Sequence, residues 1–132
     1  MSQQTRRTFL AHTALLGTGL GAVPLLQTTA KKMVVHHVFF WLKSASPENL
    51  QALLKGLRTL KGIKSVQRMH IGVPAATEDR DVVDSSYSVS ELLFFDNLAG
   101  QKAYQDDPIH MQFIKDCAHL WSKVVVYDAV DA

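Results

Sequence analysis

The chain has 132 residues, 47% of them hydrophobic, which is enough for one domain with a core of its own and too few for two. Its formal charge of +2 rests on Arg6 and Arg7: without them the 14 basic residues become 12, equal to the 12 acidic ones, so the rest of the chain offers no basic face for nucleic acid. A single cysteine, Cys117, excludes an internal disulfide.

Taken from the amino terminus, Thr5-Arg6-Arg7-Thr8-Phe9-Leu10 is a twin-arginine signature, followed by a weakly hydrophobic stretch from Ala14 to Leu26 that Gly17, Gly19, Gly21 and Pro24 interrupt. The segment resembles a bacterial Tat export signal, too short and too glycine-broken for a membrane span. Small residues at Thr28-Thr29-Ala30 suit a signal peptidase. The expectation is a precursor exported by the Tat machinery and cleaved after Ala30, leaving a domain over residues 31–132 in the periplasm or outside the cell. An uncleaved signal would instead anchor that domain at the membrane.

Met33 to Lys43, MVVHHVFFWLK, is rich in β-branched and aromatic residues and reads as a strand. Val35, His37, Phe39 and Trp41 occupy one face, and Val34, His36, Val38, Phe40 and Leu42 the other, so both faces need a cover. Ser46-Pro47-Glu48 announces a helix, with Ser46 as cap and Pro47 in the first turn. Leu50, Leu53, Leu54, Leu57 and Leu60 form its buried stripe, and Gly62 supplies a stop. A second strand runs from Lys64 to Val73. Ala75 to Ser85 is a loop, either covering the mouth of a site or simply solvated. Tyr87 to Phe95 is a third strand with Tyr87, Val89, Glu91, Leu93 and Phe95 on one face. A short helix spans Asn97 to Gln105, and Pro108, capped by Asp106 or Asp107, begins another. Val124 to Val130 is the last strand.

The order β-α-β-β-α-β, with the second helix broken in two, is the split pattern of a ferredoxin-like α+β sandwich: a four-stranded antiparallel sheet with helices on one face. Strands with apolar residues on both sides leave the other face in need of burial. A second copy of the sheet is the simplest cover, which predicts a homodimer closed into an α/β barrel.

The stretch Ala103 to Trp121, AYQDDPIHMQFIKDCAHLW, puts Tyr104 and His110 on either side of the helix-starting Pro108. Helical spacing sets Ile114, Cys117 and Trp121 on the face of His110, with Phe113 and Leu120 flanking. Cys117 on that face reads as a small hydrophobe. His36 and His37 are adjacent and point to opposite faces of their strand, while His110 and His119 point in different helical directions. No pair has metal-ligand spacing, so no metal and no cofactor is expected.

These residues resemble the stress-responsive A/B barrel (Dabb) domains. The resemblance rests on His37-Val38-Phe39-Phe40-Trp41-Leu42-Lys43, the strand ending at Phe95, Tyr104 followed by Pro108 and His110, Phe113, and the segment from Trp121 to Asp128. It implies a dimeric barrel. It also implies, through a distant likeness to plant olivetolic acid cyclase, that Tyr104 and His110 form an acid/base pair and that His37, Phe39 and Trp41 point toward the helices. Where that enzyme has another pocket histidine on the third strand this chain has Val89, and Glu91 stands at a position that is apolar there.

On this reading His37, Phe39, Trp41, Glu91, Phe113 and Trp121 line a pocket for a small hydrophobic molecule, with His110 as base and Tyr104 as proton donor. Glu91 either orients His37 or His110, or is exposed by a local bulge. The chemistry expected is cofactor-independent: a cyclase, lyase or isomerase step on a small carbonyl or aromatic compound. The alternatives are a stress-response or ligand-binding dimer without turnover and, by analogy of architecture, a barrel monooxygenase-like protein.

Overall fold

Proline junctions and β-branched runs set the elements of the domain. The computed structural model describes residues 32–132, so the reading of residues 1–30 as an export signal lies outside the described residues. Strand β1 is Val34–Leu42. Ser46 Oγ then accepts a hydrogen bond from the Asn49 backbone N–H at 3.2 Å and, with Pro47 in the first turn, opens helix α1, Pro47–Thr59, which tightens into a 3₁₀ turn at Leu60–Gly62. Strands β2, Arg68–Gly72, and β3, Val89–Phe95, lead to helices α2, Leu98–Asp106, and α3, Pro108–Cys117. A 3₁₀ turn at Ala118–Leu120 delivers the chain into β4, Trp121–Val130.

The four strands form one antiparallel sheet in the order β2-β3-β1-β4, the arrangement of a ferredoxin-like α+β fold. The core lies between this sheet and the helices. Leu53, Leu57 and Leu60 of the predicted leucine stripe are fully buried there, against Val34, Val38 and Phe40 of β1 and Val89, Leu93 and Phe95 of β3. Helix α1 crosses α3 closely at Gly56, where a Cβ would run into Cys117 Sγ and the Phe113 ring. Cys117 is buried, and burial first and the Asp116 charge second push its thiol up, away from the reactive thiolate.

Two expectations need correction. Helix α3 ends at Cys117, so Trp121 is not on its face; it is the first residue of β4 and packs on Phe40 and Phe113 at ring-centroid distances of 5.1 and 5.8 Å. The loop from Ala75 to Ser85 runs beside the sheet face that the helices leave open, where Asp84 lines a hollow with Phe39, Trp41, Tyr87 and Tyr127. Ser86, just beyond it, accepts a hydrogen bond from Trp41 Nε1 at 3.1 Å.

The second correction concerns the direction of β1. Val34, His36, Val38 and Phe40 face the helices and are buried, while His37, Phe39 and Trp41 lie on the opposite, open face. Alternation cannot distinguish the two, because both faces of this strand are apolar. Satisfaction of an imidazole does. His36 sits directly opposite Asp128 of β4 and its Nδ1 pairs with Asp128 Oδ1 at 2.6 Å, whereas His37 sits opposite Tyr127 and stacks on Phe39 at 4.2 Å between centroids.

Candidate functional site

The break between α2 and α3 builds the first half of the site. Pro108 has no N–H to donate, and Asp107 before it is held extended, so α2 stops at Asp106. Asp107 Oδ1 accepts from the Ile109 N–H at 2.8 Å. That N–H would otherwise have served the Gln105 carbonyl in a continuous helix; the freed carbonyl instead meets His110 Nδ1 at 3.1 Å. A ring N–H donating from Nδ1 leaves the lone pair on Nε2. The same junction brings His110 against Tyr104 of α2, with centroids 4.5 Å apart and planes inclined by 42°.

The sheet supplies the second half. Register sets Glu91 of β3 opposite Val38 of β1 and Ile71 of β2, on the helix-facing side, where only 1% of the residue is exposed. Its Oε1 is buried and has no hydrogen-bond partner. His36, 4% exposed, lies edge-on to Tyr104 at 5.6 Å and is held by Asp128. These groups line a cleft of about 190 Å³ between the sheet and α2–α3. Phe40, Phe113 and Trp121 close its apolar end, and the half-exposed Val124 and Val126 of β4 form its rim.

Burial shapes the electrostatics. With no lysine or arginine along the cleft, removal from water pushes the Glu91 carboxyl up to about 8. The Tyr104 phenol is also pushed up, by burial first and by the Glu91 charge second. At neutral pH both groups therefore carry a proton and can donate it. His36 Nδ1 meets the Asp128 carboxylate at 2.6 Å, so a ring N–H donated there leaves the lone pair on Nε2. The cleft thus sets proton donors and imidazole lone pairs around apolar walls, the composition of a general acid/base site for a small molecule.

Of the residues singled out in the sequence, the cleft brings together Glu91, Tyr104, His110, Phe113 and Trp121. It does not include His37, Phe39 or Trp41, which belong to the open face. There Phe39 packs edge-to-face with Tyr87 at 5.0 Å and with Tyr127 at 6.1 Å, and Lys123 lies over the Trp41 ring at 4.5 Å. Partial burial, then the neighbouring His70, lower the basicity of His37. Glu91 follows neither of the two routes considered for it: β3 has no bulge there, and no imidazole bonds it. Sequence reasoning missed His36 and Asp128. Their signal, a histidine and an aspartate in register on neighbouring strands, requires the β1–β4 pairing across 92 residues of chain. Among the described residues no group of three or more His, Cys, Asp and Glu is placed to hold a metal ion, and no helix is long and apolar enough to cross a membrane.

The model of the Stress Responsive A/B Barrel Domain family (Dabb) matches residues 34–131. No functionally curated protein matches the chain. Similar solved structures include a Dabb family protein with a ferredoxin-like fold from Mesorhizobium loti, 25% identical, covering 76% of this chain and 98% of its own, with a TM-score of 0.62. The hydroxynitrile lyase of Passiflora edulis is 20% identical over 77% of this chain and 95% of its own, with a TM-score of 0.65. A dimeric ferredoxin-like protein from Thermobifida fusca is 19% identical over 76% of this chain and 92% of its own, with a TM-score of 0.62.

Proposed function

The chain belongs to the stress-responsive A/B barrel family, and on that premise we propose that it is a cofactor-independent acid/base enzyme of lyase, cyclase or isomerase type, acting on a small hydrophobic carbonyl or aromatic compound. The observation that carries this reading is the convergence of Tyr104, His110 and the unpartnered carboxyl of Glu91 on one apolar cleft. His110 Nε2 takes a proton from an acidic carbon or hydroxyl of the substrate, its Nδ1–H held by the Gln105 carbonyl so that the lone pair stays on the far nitrogen. The Tyr104 hydroxyl donates a hydrogen bond to the oxygen on which negative charge develops, and the proton taken up by His110 is returned to the product. A Passiflora edulis structure of this fold is a hydroxynitrile lyase, which agrees with proton transfer at a small carbonyl-derived compound without naming the reaction here.

The working form in this proposal is a homodimer. The open sheet face carries Phe39, Trp41, Tyr87 and Tyr127, with Tyr127 65% exposed, and similar structures from Thermobifida fusca and Bacteroides fragilis are described as dimeric. Two such faces packed together close the barrel. The twin-arginine segment at Arg6 and Arg7 supports export of the precursor, with the folded domain working outside the cytoplasm or held at the membrane.

Purified protein is assayed on a panel of cyanohydrins, aromatic aldehydes and β-dicarbonyl chains. Turnover that falls about 10²- to 10⁴-fold in Tyr104→Phe and in His110→Ala supports the assigned roles. Turnover that neither substitution reduces contradicts them. Binding of panel compounds without turnover leaves a dimer that holds small molecules and transforms none.

A further inference from the structure

We propose that Glu91, as the protonated acid, is the group that holds the ligand's carbonyl oxygen, and that the cleft therefore takes uncharged aldehydes, ketones and esters and rejects their carboxylate counterparts. The inference rests on the reading of the cleft as a small-molecule site and adds to it the residue and the charge class that select the ligand.

The groups around the side chain decide which form it takes. From β1 it faces His36, whose Nδ1 is taken by Asp128 of β4; from α2 it faces Tyr104 and from α3 His110. Strand β2 sets Ile71 opposite it, and α1 turns the fully buried Leu53 and Leu57 toward the sheet. None of these is a lysine or arginine, and the Asp128 carboxylate stands beside the imidazole that could have served as counterion. A carboxylate at Glu91 is thus desolvated without compensation, and the neutral acid is the form the site tolerates. Burial displaces its titration in the same direction, up to about 8.

A neutral carboxyl in this position has an O–H to donate, and its Oε1 is already without a partner. Tyr104 lines the same cleft, and its phenol also keeps its proton. A carbonyl oxygen, with two lone pairs and no hydrogen, accepts from both at once, and it holds them more strongly as negative charge builds on it. A carboxylate ligand would carry a full charge into a cleft that has no cation, and would meet the ionised form of Glu91 as a like charge. The apolar end formed by Phe40, Phe113 and Trp121 suits the hydrocarbon part of the ligand.

The test has two independent readouts on the full-length chain. Its glutamates are Glu48, Glu78 and Glu91, so ¹³C-carboxyl labelling of glutamate gives a spectrum that Glu91→Gln assigns. The proposal expects the Glu91 carboxyl to stay protonated at neutral pH and to titrate near 8. Benzaldehyde and benzoate then serve as matched probes, followed by shifts at Tyr104 and His110. Benzaldehyde affinity should fall about tenfold between about pH 6.5 and about pH 9 as the acid form is lost, and stay level in Glu91→Gln, whose amide donates at either pH. Glu91→Ala should weaken benzaldehyde at both pH values, and benzoate should bind at least about tenfold more weakly than benzaldehyde to the unsubstituted protein. Ionisation of Glu91 in the ordinary carboxylate range overturns the proposal, as does equal binding of the two probes or a benzaldehyde affinity indifferent to pH and to both substitutions. A high Glu91 titration with no shift at Tyr104 or His110 from either probe overturns the small-molecule reading of the cleft and this proposal with it.

Discussion

His36 and His37 leave β1 in opposite directions, and the faces they enter have been put to different uses. On the helix-facing side, His36 meets a carboxylate, a phenol and a second imidazole lining a cleft with an unpartnered Glu91. On the open side, His37 enters a run of stacked aromatics, Phe39, Tyr87 and Tyr127, in which the rings satisfy one another by area and edge contacts. The inner face carries buried polar groups at a cost in stability. The outer face presents apolar surface that gains by meeting more of the same.

The comparison breaks most plainly at neighbouring phenylalanines. Phe40, buried between Phe113 and Trp121, should cost the fold about 3–5 kcal/mol when replaced by alanine, read by urea denaturation. Phe39→Ala, on the open face, should cost the monomer less than half of that; equal losses would mean that the two faces are packed alike.

Next in size is the effect of Glu91 on stability. Its value is raised from 4.5 to about 8 in the folded chain, so its contribution is fully present below about pH 4.5 and is lost as pH rises toward 8. By pH 7 the loss is on the order of 3 kcal/mol. Glu91→Gln should remove that slope, leaving a variant that gains on the unsubstituted protein as pH rises from about 5 to about 8. Denaturation curves that run parallel at each pH would show that the carboxyl ionises freely.

A smaller effect is expected at the open face. Phe39→Lys should weaken the homodimer by about 2 kcal/mol or more, seen in sedimentation equilibrium as monomer appearing at concentrations where the unsubstituted protein is paired, with the ligand cleft still formed. Smaller again, and most specific to the comparison, is the pair of histidines. His36→Ala should lose about 1.5 kcal/mol because Asp128 loses its charge-assisted partner. His37→Ala should stay within about 0.5 kcal/mol for the monomer. Thermal denaturation of the two variants side by side separates these outcomes.

Much of the fold was legible because its boundaries are chemically marked. Ser46-Pro47 and Asp107-Pro108 cap and start their helices where local physics says they should, and the leucine spacing of α1 names its buried side. The cleft was legible on its helix side, since Tyr104 and His110 are brought together by a proline break that acts over a few residues. Its strand side was not. A strand with two apolar faces does not reveal which side is inward, and the His36–Asp128 pair exists only once β1 and β4 are in register. Trp121 reads as a helix-face residue because nothing before it announces a stop; the α3 helix ends in a 3₁₀ turn without proline or glycine.

In the proposed function, small molecules enter between the sheet and the α2–α3 junction, on the His36 side of β1. A crystal structure of the protein grown with benzaldehyde tests it most directly. The account predicts the ring against Phe113 and Trp121, with its oxygen between Glu91 and Tyr104. Benzaldehyde seated instead among Phe39, Tyr87 and Tyr127 would contradict it.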